Sequence, residues 1–476
     1  MTGTIQTQNM ENIIQKGKAH FIINPELTEG KIVDIFATEP IVKNLSEKTI
    51  QQAINTALTE GVYKINLNAD AHEGYGCPIG SVVATEKTIM PGPVGYDISC
   101  SVSYLQTDIE FEQLESKESR RALINKICEY IPYGTGTERV PKQLKVSRDD
   151  YMDILNYGAA DGFLMKKLDI DLSWLKNLER KNLPADAKLL SEKTLKRGDG
   201  QIGSLGSGNH FLEAQKVKIM DKKIASKWGM SETVAFLTHC GSRGLGHQIA
   251  LEYFQKLQNW FELKNVKLRD KELVYADIHS LLGHDYYFSM GCAANFAIVN
   301  HLVLNTAIKN ALSELYPNNK ADFVYLISHN LVQKEIINGK ELYIHRKGGT
   351  RAFGAGHPDL IGTKYYTTGH PVIIPGSSIS GSSVMAGDDS TGKNFYTVPH
   401  GAGRALGRRE AKRTFTQQYV DEQMENADVL FNKRHYPIDE YSEAYKDYDE
   451  VIKSVELAGL AKEVARMKPI FVVKGE

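Results

Sequence analysis

Apolar and polar positions along the chain switch between two periods. "SEKTIQQAINTAL" (46–58) places Ile50, Ala53, Ile54 and Ala57 at helical spacing behind Ser46, and predicts a helix capped by that serine. "YKINL" (63–67) alternates like a half-buried strand and leads into "NADAHEGYGCPIG". Longer helical patterns cover about 113–131, 247–263, 286–316 and 408–432. Three segments between them share one design. "TVAFLTHCGSRGLG" (233–246) is an apolar strand that stops at His239 and enters a glycine loop. "FVYLISHN" (323–330) stops at His329, and "PVIIPGSSISGSS" (371–383) runs into a Gly/Ser loop. Polar residues on tight loops at strand ends are where mixed α/β folds build sites. The chain closes on "KPIFVVKGE", whose apolar Ile470–Val473 run predicts a final strand on the core.

There is no internal repeat, low-complexity tract or Pro/Ser-rich linker, so one large domain spanning 1–476 is expected. Hydrophobic residues at 42% and charged residues at 24% are ordinary for a globular protein. No apolar run approaches the length of a membrane span, and the N-terminal stretch lacks the basic-then-apolar pattern of a signal peptide. The expectation is a cytoplasmic protein with no membrane partner. A formal net charge of -1 means that any polyanion must meet a local basic patch. The 5 cysteines are odd in number and scattered, which fits a reducing compartment with thiols free for packing or metal.

That last point gives weight to "PGPVGYDISC", where Asp97 and Cys100 lie three residues apart after a glycine-rich turn. Three histidines sit in comparable settings: His210 in "GSLGSGNHFLE", His239 in "THCGSRGLGH" and His329 in "LISHN". One thiol, one carboxylate and three imidazoles can bind one or two divalent transition metals, and a thiolate or carboxylate can bridge two ions. Each histidine alone reads more simply as a hydrogen-bonded structural residue, and no CxxC or HExxH spacing fixes the set. "HGAGR" (400–404) places a histidine ahead of small residues and a basic helix, a setting suited to phosphate. A neutral imidazole held through its other nitrogen is a competent phosphorus nucleophile. Basic clusters around Arg243, in "HRKGGTR" (345–351), and at Arg404, Arg408, Arg409, Lys412 and Arg413 could read phosphates; singly they are ordinary solvated charge.

The segments "DAHEGYGCPIG", "PGPVGYDISC", "GSLGSGNHFLE", "HCGSRGLGHQ", "HRKGGTRAFG", "PVIIPGSS" and "HGAGR" resemble, in order, the signature segments of the RtcB family of RNA-splicing ligases. The resemblance runs from about residue 68 to the C-terminal "VVKG". It implies a mixed α/β (α+β) fold with β-sheets surrounded by helices and a central metal and nucleotide cleft. It implies a GTP- and Mn²⁺-dependent ligase joining RNA 3′-phosphate or 2′,3′-cyclic phosphate ends to 5′-hydroxyl ends, in RNA repair or tRNA splicing. An archease-type activator is a further implied partner. Carried over by position, Asp97, Cys100, His210, His239 and His329 would hold two Mn²⁺ ions with Cys100 bridging, and His400 would be guanylylated. Asn209, Phe211, Leu212, Glu213, Asn330, Pro375, Gly376, Ser377, Ser378, Ser382, Gly401, Ala402 and Gly403 would form the GTP pocket. Tyr445 would stack on the base and Lys474 would reach the guanine, while Asp70 would lie near the site and the arginine set would hold RNA phosphates.

The chain departs from the family at "PGPV", where Gly-Gly is common, at Ser99 in place of Asn, in "GSSISGS", and at "YTVP" ahead of His400. None of these removes a ligand or the nucleophile; they bear on loop shape and substrate preference. Two other functions would use the same residues. One is a metal-dependent phosphohydrolase or cyclic phosphodiesterase acting on RNA ends, with His400 as acid or ligand. The other is a non-catalytic RNA-binding protein that keeps the fold.

Overall fold

The computed structural model describes residues 9–134 and 144–475 and shows a mixed α/β architecture built on two large sheets. A seven-stranded sheet runs in the order Ile13–Gly17, His20–Ile23, Asp34–Phe36, Val62–His72, Ile79–Thr85, Lys340–Lys347, Leu331–Ile337. An eight-stranded sheet runs Ala321–Ser328, Ser101–Thr107, Val234–Cys240, Phe211–Ile219, Ala461–Val473, Ser382–Gly387, Pro371–Pro375, with Leu430–Phe431 joined in parallel to Ala461–Val473. Both sheets are otherwise antiparallel, apart from the Asp34–Phe36/Val62–His72 pair.

The first predicted helix is Glu47–Ala57, with Ser46 Oγ accepting from the Thr49 amide at 3.2 Å. Its apolar stripe of Ile50, Ala53, Ile54 and Ala57 is buried in one cluster with Ile65 and Leu67 of the seven-stranded sheet. The pattern over 286–316 becomes a 35-residue helix, Leu281–Leu315. Contrary to the expectation of no span-length apolar run, this helix is long and apolar enough to cross a membrane. It is 89% buried over its most apolar window, packed among the helices Arg243–Leu263, Arg148–Tyr157 and Lys117–Tyr130, as a core helix is. Its buried polar residues are tied down. Asn300 accepts from the Gly203 amide at 2.7 Å, and the His301 ring bridges Ser103 Oγ (2.9 Å) and the Cys240 carbonyl (3.1 Å). Burying such groups is tolerable only when they are hydrogen-bonded, and here their partners are the strand ends and loops that carry the site.

The pattern over 408–432 is not one helix. It breaks into Arg408–Thr414 and Gln417–Asn426, because Thr416 caps a new start by accepting from the Tyr419 amide at 3.2 Å, and Leu430–Phe431 then joins the sheet. The chain's last strand is Ala461–Val473, longer than its apolar end alone predicted.

The basic segment 345–351 also departs from expectation. Arg346 is buried and makes a two-pronged pair with Glu335 (2.6 and 3.0 Å), and Arg351 is buried against Glu179 at 2.8 Å. Neither arginine faces solvent, so neither can hold an RNA phosphate; both serve the junction between strands. Burial raises the Glu335 carboxyl, but Arg346, with Arg351 and Arg180 adding to it, holds the group below its ordinary value. The pair's contribution is therefore complete at neutral pH and is lost as pH falls through that lowered value. Glu335→Gln leaves a buried guanidinium uncompensated and should cost about 3–5 kcal/mol. Lys43→Ala removes only an exposed pair with Glu39 and should change stability by less than about 1 kcal/mol. Calorimetric melting of the two variants checks this; equal melting temperatures would contradict it.

Candidate metal and nucleotide site

Antiparallel neighbours bring the start of one strand beside the end of the next. Ser101 begins its strand opposite Cys240 and Ser328, which end theirs, and Phe211 begins opposite His239. Val473 ends the last strand opposite Leu212. One sheet edge therefore collects Cys100, His210, His239, His329 and Lys474, although they span most of the chain. The backbone closes the group: the His329 amide donates to the Cys100 carbonyl at 2.8 Å, and the Ser99 amide to the Asn330 carbonyl at 2.8 Å.

The five predicted ligands form two sets that share one atom. Cys100, His239 and His329 make one, Asp97, Cys100 and His210 the other, with donor atoms in each set within 4.8 Å of one another. Cys100 Sγ lies 3.0 Å from His239 Nε2 and 3.5 Å from His210 Nε2, and His239 Nε2 lies 3.3 Å from His329 Nε2. Asp97 Oδ2 is 3.0 Å from His210 Nε2. Burial, with neighbouring histidines adding to it, holds His239 and His329 well below the ordinary imidazole range. They are thus neutral, the form that offers a lone pair to a cation. Burial and the Asp97 charge push the Cys100 thiol well above its ordinary value. A thiolate at this position needs a cation beside it. Lone pairs converging from N, O and S donors in a buried cluster fit a borderline divalent transition ion on each side of Cys100.

His400 faces this cluster, with its ring centroid 4.8 Å from that of His329. It follows the short strand Thr397–Pro399, which pairs with Gly349–Arg351. The fully buried Asp70, on Val62–His72, holds His400 Nδ1 at 2.7 Å through Oδ2 and also accepts from the His400 amide at 3.3 Å. A proton kept on Nδ1 leaves Nε2 with the free lone pair. Two glycines make room for this. A Cβ at Gly348 would come within 2.8 Å of His400 Cε1, and one at Gly403 within 2.2 Å of the Asp70 carbonyl, and both have positive φ. The basic helix begins only at Arg408, so the 400–403 loop is not a helix N-terminus as the pattern suggested. Two of its amides hold the chain itself, His400 donating to Asp70 and Ala402 to the Pro375 carbonyl at 3.1 Å.

Both groups open on a cavity of about 340 Å³. It is lined by Asp97, His239, His329 and His400, and by Asn209, Phe211, Glu213 and Asn330. Pro375 to Ser378, Ser382, Gly401 to Gly403, Tyr445 and Lys474 complete the predicted residues on its wall. Cys100 and His210 sit buried behind that wall. Leu212 is the exception: strand alternation turns it from Phe211 and Glu213 into the apolar core, so its side chain cannot touch a nucleotide. Glu213 accepts from Ser378 Oγ at 3.0 Å and Gln215 Nε2 at 2.6 Å. Burial raises its carboxyl to about 7 against the pull of Ser378 and Lys474. Lys474 is buried, with Nζ 3.3 Å from Glu440 Oε2 and 5.9 Å from the Phe211 ring centre.

Sequence reading missed Glu440, which also meets Arg404, Arg408 and the Tyr445 hydroxyl (2.6 Å), and Tyr436, whose hydroxyl is 2.6 Å from Ser378 Oγ. "YPIDEYSE" carries no signal that would single Glu440 out. Of the basic set, Lys347, Arg404 and Arg408 line the cavity, whereas Arg243 donates to Ser204 Oγ (3.0 Å) and the Gly134 carbonyl (3.1 Å).

A fixed imidazole facing clustered metal donors in one cavity is equipped for phosphoryl or nucleotidyl transfer. A family model described as tRNA-splicing ligase RtcB matches residues 52–475. The tRNA-splicing ligases RtcB of Methanococcus maripaludis and Thermococcus kodakarensis are each 34% identical over 464 residues, 93% of this chain and 94% of theirs. The RNA-splicing ligase RtcB homolog 1 of Entamoeba dispar is 34% identical over 99% of this chain and 91% of its own. The chain belongs to the RtcB family.

Sharing of Cys100 between both donor sets has a direct test. A hydroxyl is a far poorer bridging ligand than a thiolate, so Cys100→Ser should lower the affinity of both ions. Metal analysis after equilibrium dialysis should find both sites weakened; loss confined to one ion would make Cys100 a terminal ligand.

Proposed function

We propose that the chain is an RNA ligase that joins a 3′-phosphate or 2′,3′-cyclic phosphate end to a 5′-hydroxyl end, using GTP and guanylylating His400. The observation that carries this reading is the Asp70-held His400 facing the Cys100-centred donors in one cavity, in a chain of the RtcB family. Asp97, Cys100, His210, His239 and His329 would hold two Mn²⁺ ions, which when bound would neutralise and polarise the reacting phosphates. His400 Nε2 attacks the α-phosphorus of GTP; an N–P bond forms and the bond to pyrophosphate breaks. Asp70 keeps the Nδ1 proton and offsets the positive charge that grows on the ring. An oxygen of the RNA 3′-phosphate then takes the GMP, breaking the N–P bond. The 5′-hydroxyl attacks the activated phosphorus, GMP leaves, and the phosphodiester is made. A cyclic end is first opened by water to the 3′-phosphate.

In the nucleotide pocket, Glu213 accepts from the guanine ring and amino nitrogens and Lys474 donates to its carbonyl. Adenine, which has an amino group where guanine has its carbonyl and lacks the 2-amino group, would forfeit both contacts, at about 1–3 kcal/mol each. Lys474→Ala should therefore weaken guanylylation and narrow the preference for GTP over ATP without changing metal content; unaltered discrimination would remove the C-terminus from the nucleotide site.

Radiolabelled GTP tests the central step. The wild-type chain should form an acid-labile, alkali-stable adduct in the presence of Mn²⁺. His400→Ala should form none while folding and metal content hold. An adduct at normal yield in that variant would place the nucleophile elsewhere, and no adduct in the wild type would favour the phosphohydrolase alternative. Repeating the assay with an archease-type protein tests whether turnover needs an activator.

A further inference from the structure

One stretch of the cavity wall has no part in this scheme. His72, Tyr75, Ile79, Val94 and Tyr96 form it. Tyr75 is 65% exposed, yet the turn that carries it is held from both sides. Gln52 exchanges hydrogen bonds with the Gly74 carbonyl (2.7 Å) and amide (3.1 Å), and the buried Lys347 ammonium donates to the carbonyls of Tyr75 (2.7 Å) and Cys77 (2.8 Å). This turn therefore holds a large, mostly exposed ring in a fixed place on the cavity wall.

The ring is backed by another aromatic. Tyr96 meets Tyr75 edge to face (centroids 5.7 Å, 86°) and is itself stacked on Phe254 (4.9 Å, 29°). This strip adjoins both chemical centres. Ile79 and His400 flank Gly348, whose Cβ would come within 2.5 Å of the first and 2.8 Å of the second. Tyr96 directly precedes Asp97 of the donor cluster.

We propose that Tyr75, supported by Tyr96, is the stacking platform for the terminal base of the RNA strand that bears the 3′-phosphate. The proposal rests on the ligase reading above. In that reading the 3′-phosphate is the RNA group that takes GMP from His400, so its own nucleoside occupies the wall next to His400 that the guanine does not use. Stacking on an aromatic face accepts any base, as end-joining requires, because every base has a π-face.

The test uses a short RNA with a 3′-phosphate and 2-aminopurine as its 3′-terminal base, bound to the metal-loaded chain without GTP. Wild type should quench the probe. Tyr75→Ala should lose the quench and bind about ten-fold or more weakly, within the range alanine produces at a stacking aromatic. Tyr75→Phe should keep both, since the ring and not the hydroxyl is the platform. GMP-adduct formation by Tyr75→Ala should match wild type. Equal quenching and affinity in wild type and Tyr75→Ala would overturn the proposal. So would a Tyr75-dependent quench seen only when the probe sits at a 5′-hydroxyl end, or loss of the adduct in Tyr75→Ala. Failure of the wild-type chain to form an adduct would sink the ligase reading instead, with the binding result still reporting on Tyr75.

Discussion

The site depends on the two residues where the chain passes from one sheet to the other. Ala321–Ser328 ends in the eight-stranded sheet, Leu331–Ile337 begins in the seven-stranded one, and His329 and Asn330 lie between. Asn330 takes a left-handed conformation (φ 62°), which its short polar side chain tolerates. Its amide group donates to the Asp97 carbonyl at 3.1 Å, and its side-chain oxygen accepts from the Gly348 amide at 2.8 Å. With the backbone bonds to Ser99 and Cys100, this crossing ties the metal-donor loop, both sheets and the glycine beside His400 into one unit.

That rigidity has an electrostatic consequence. Burying His239, His329 and the Cys100 thiol together makes their charged forms costly, which is why the two imidazoles are held neutral and Cys100 is pushed toward the thiol. Such a cluster is unfavourable alone and becomes useful when a cation compensates it. Asp70 acts differently: buried and fixed, it sets which nitrogen of His400 carries the proton and so which nitrogen is free.

Much of this was legible in the sequence because strands announce their ends. The apolar runs into His239 and His329 stop where the sheet edge lies, and antiparallel pairing does the rest. What pairing alone cannot show is which loops from the other sheet meet that edge. Asp70 and His400 are 330 residues apart, and only the resemblance placed Asp70 near the site. The same limit hid Glu440. Arg346 and Arg351 were read as a phosphate groove because a charged residue looks alike in sequence whether solvated or buried against a carboxylate. Leu212 differs from its neighbours in that strand alternation, itself readable from the sequence, turns it into the core. The break at Thr416 was also readable, as a capping residue inside an otherwise helical pattern.

The most direct test of the account is the electron paramagnetic resonance of Mn²⁺ titrated into the full chain. If Cys100 is shared, two ions should bind per chain, and filling the second site should replace the single-ion spectrum by a broadened, exchange-coupled one. Saturation at one ion, or two ions whose spectra simply add, would contradict a thiolate-bridged pair and with it the site proposed here.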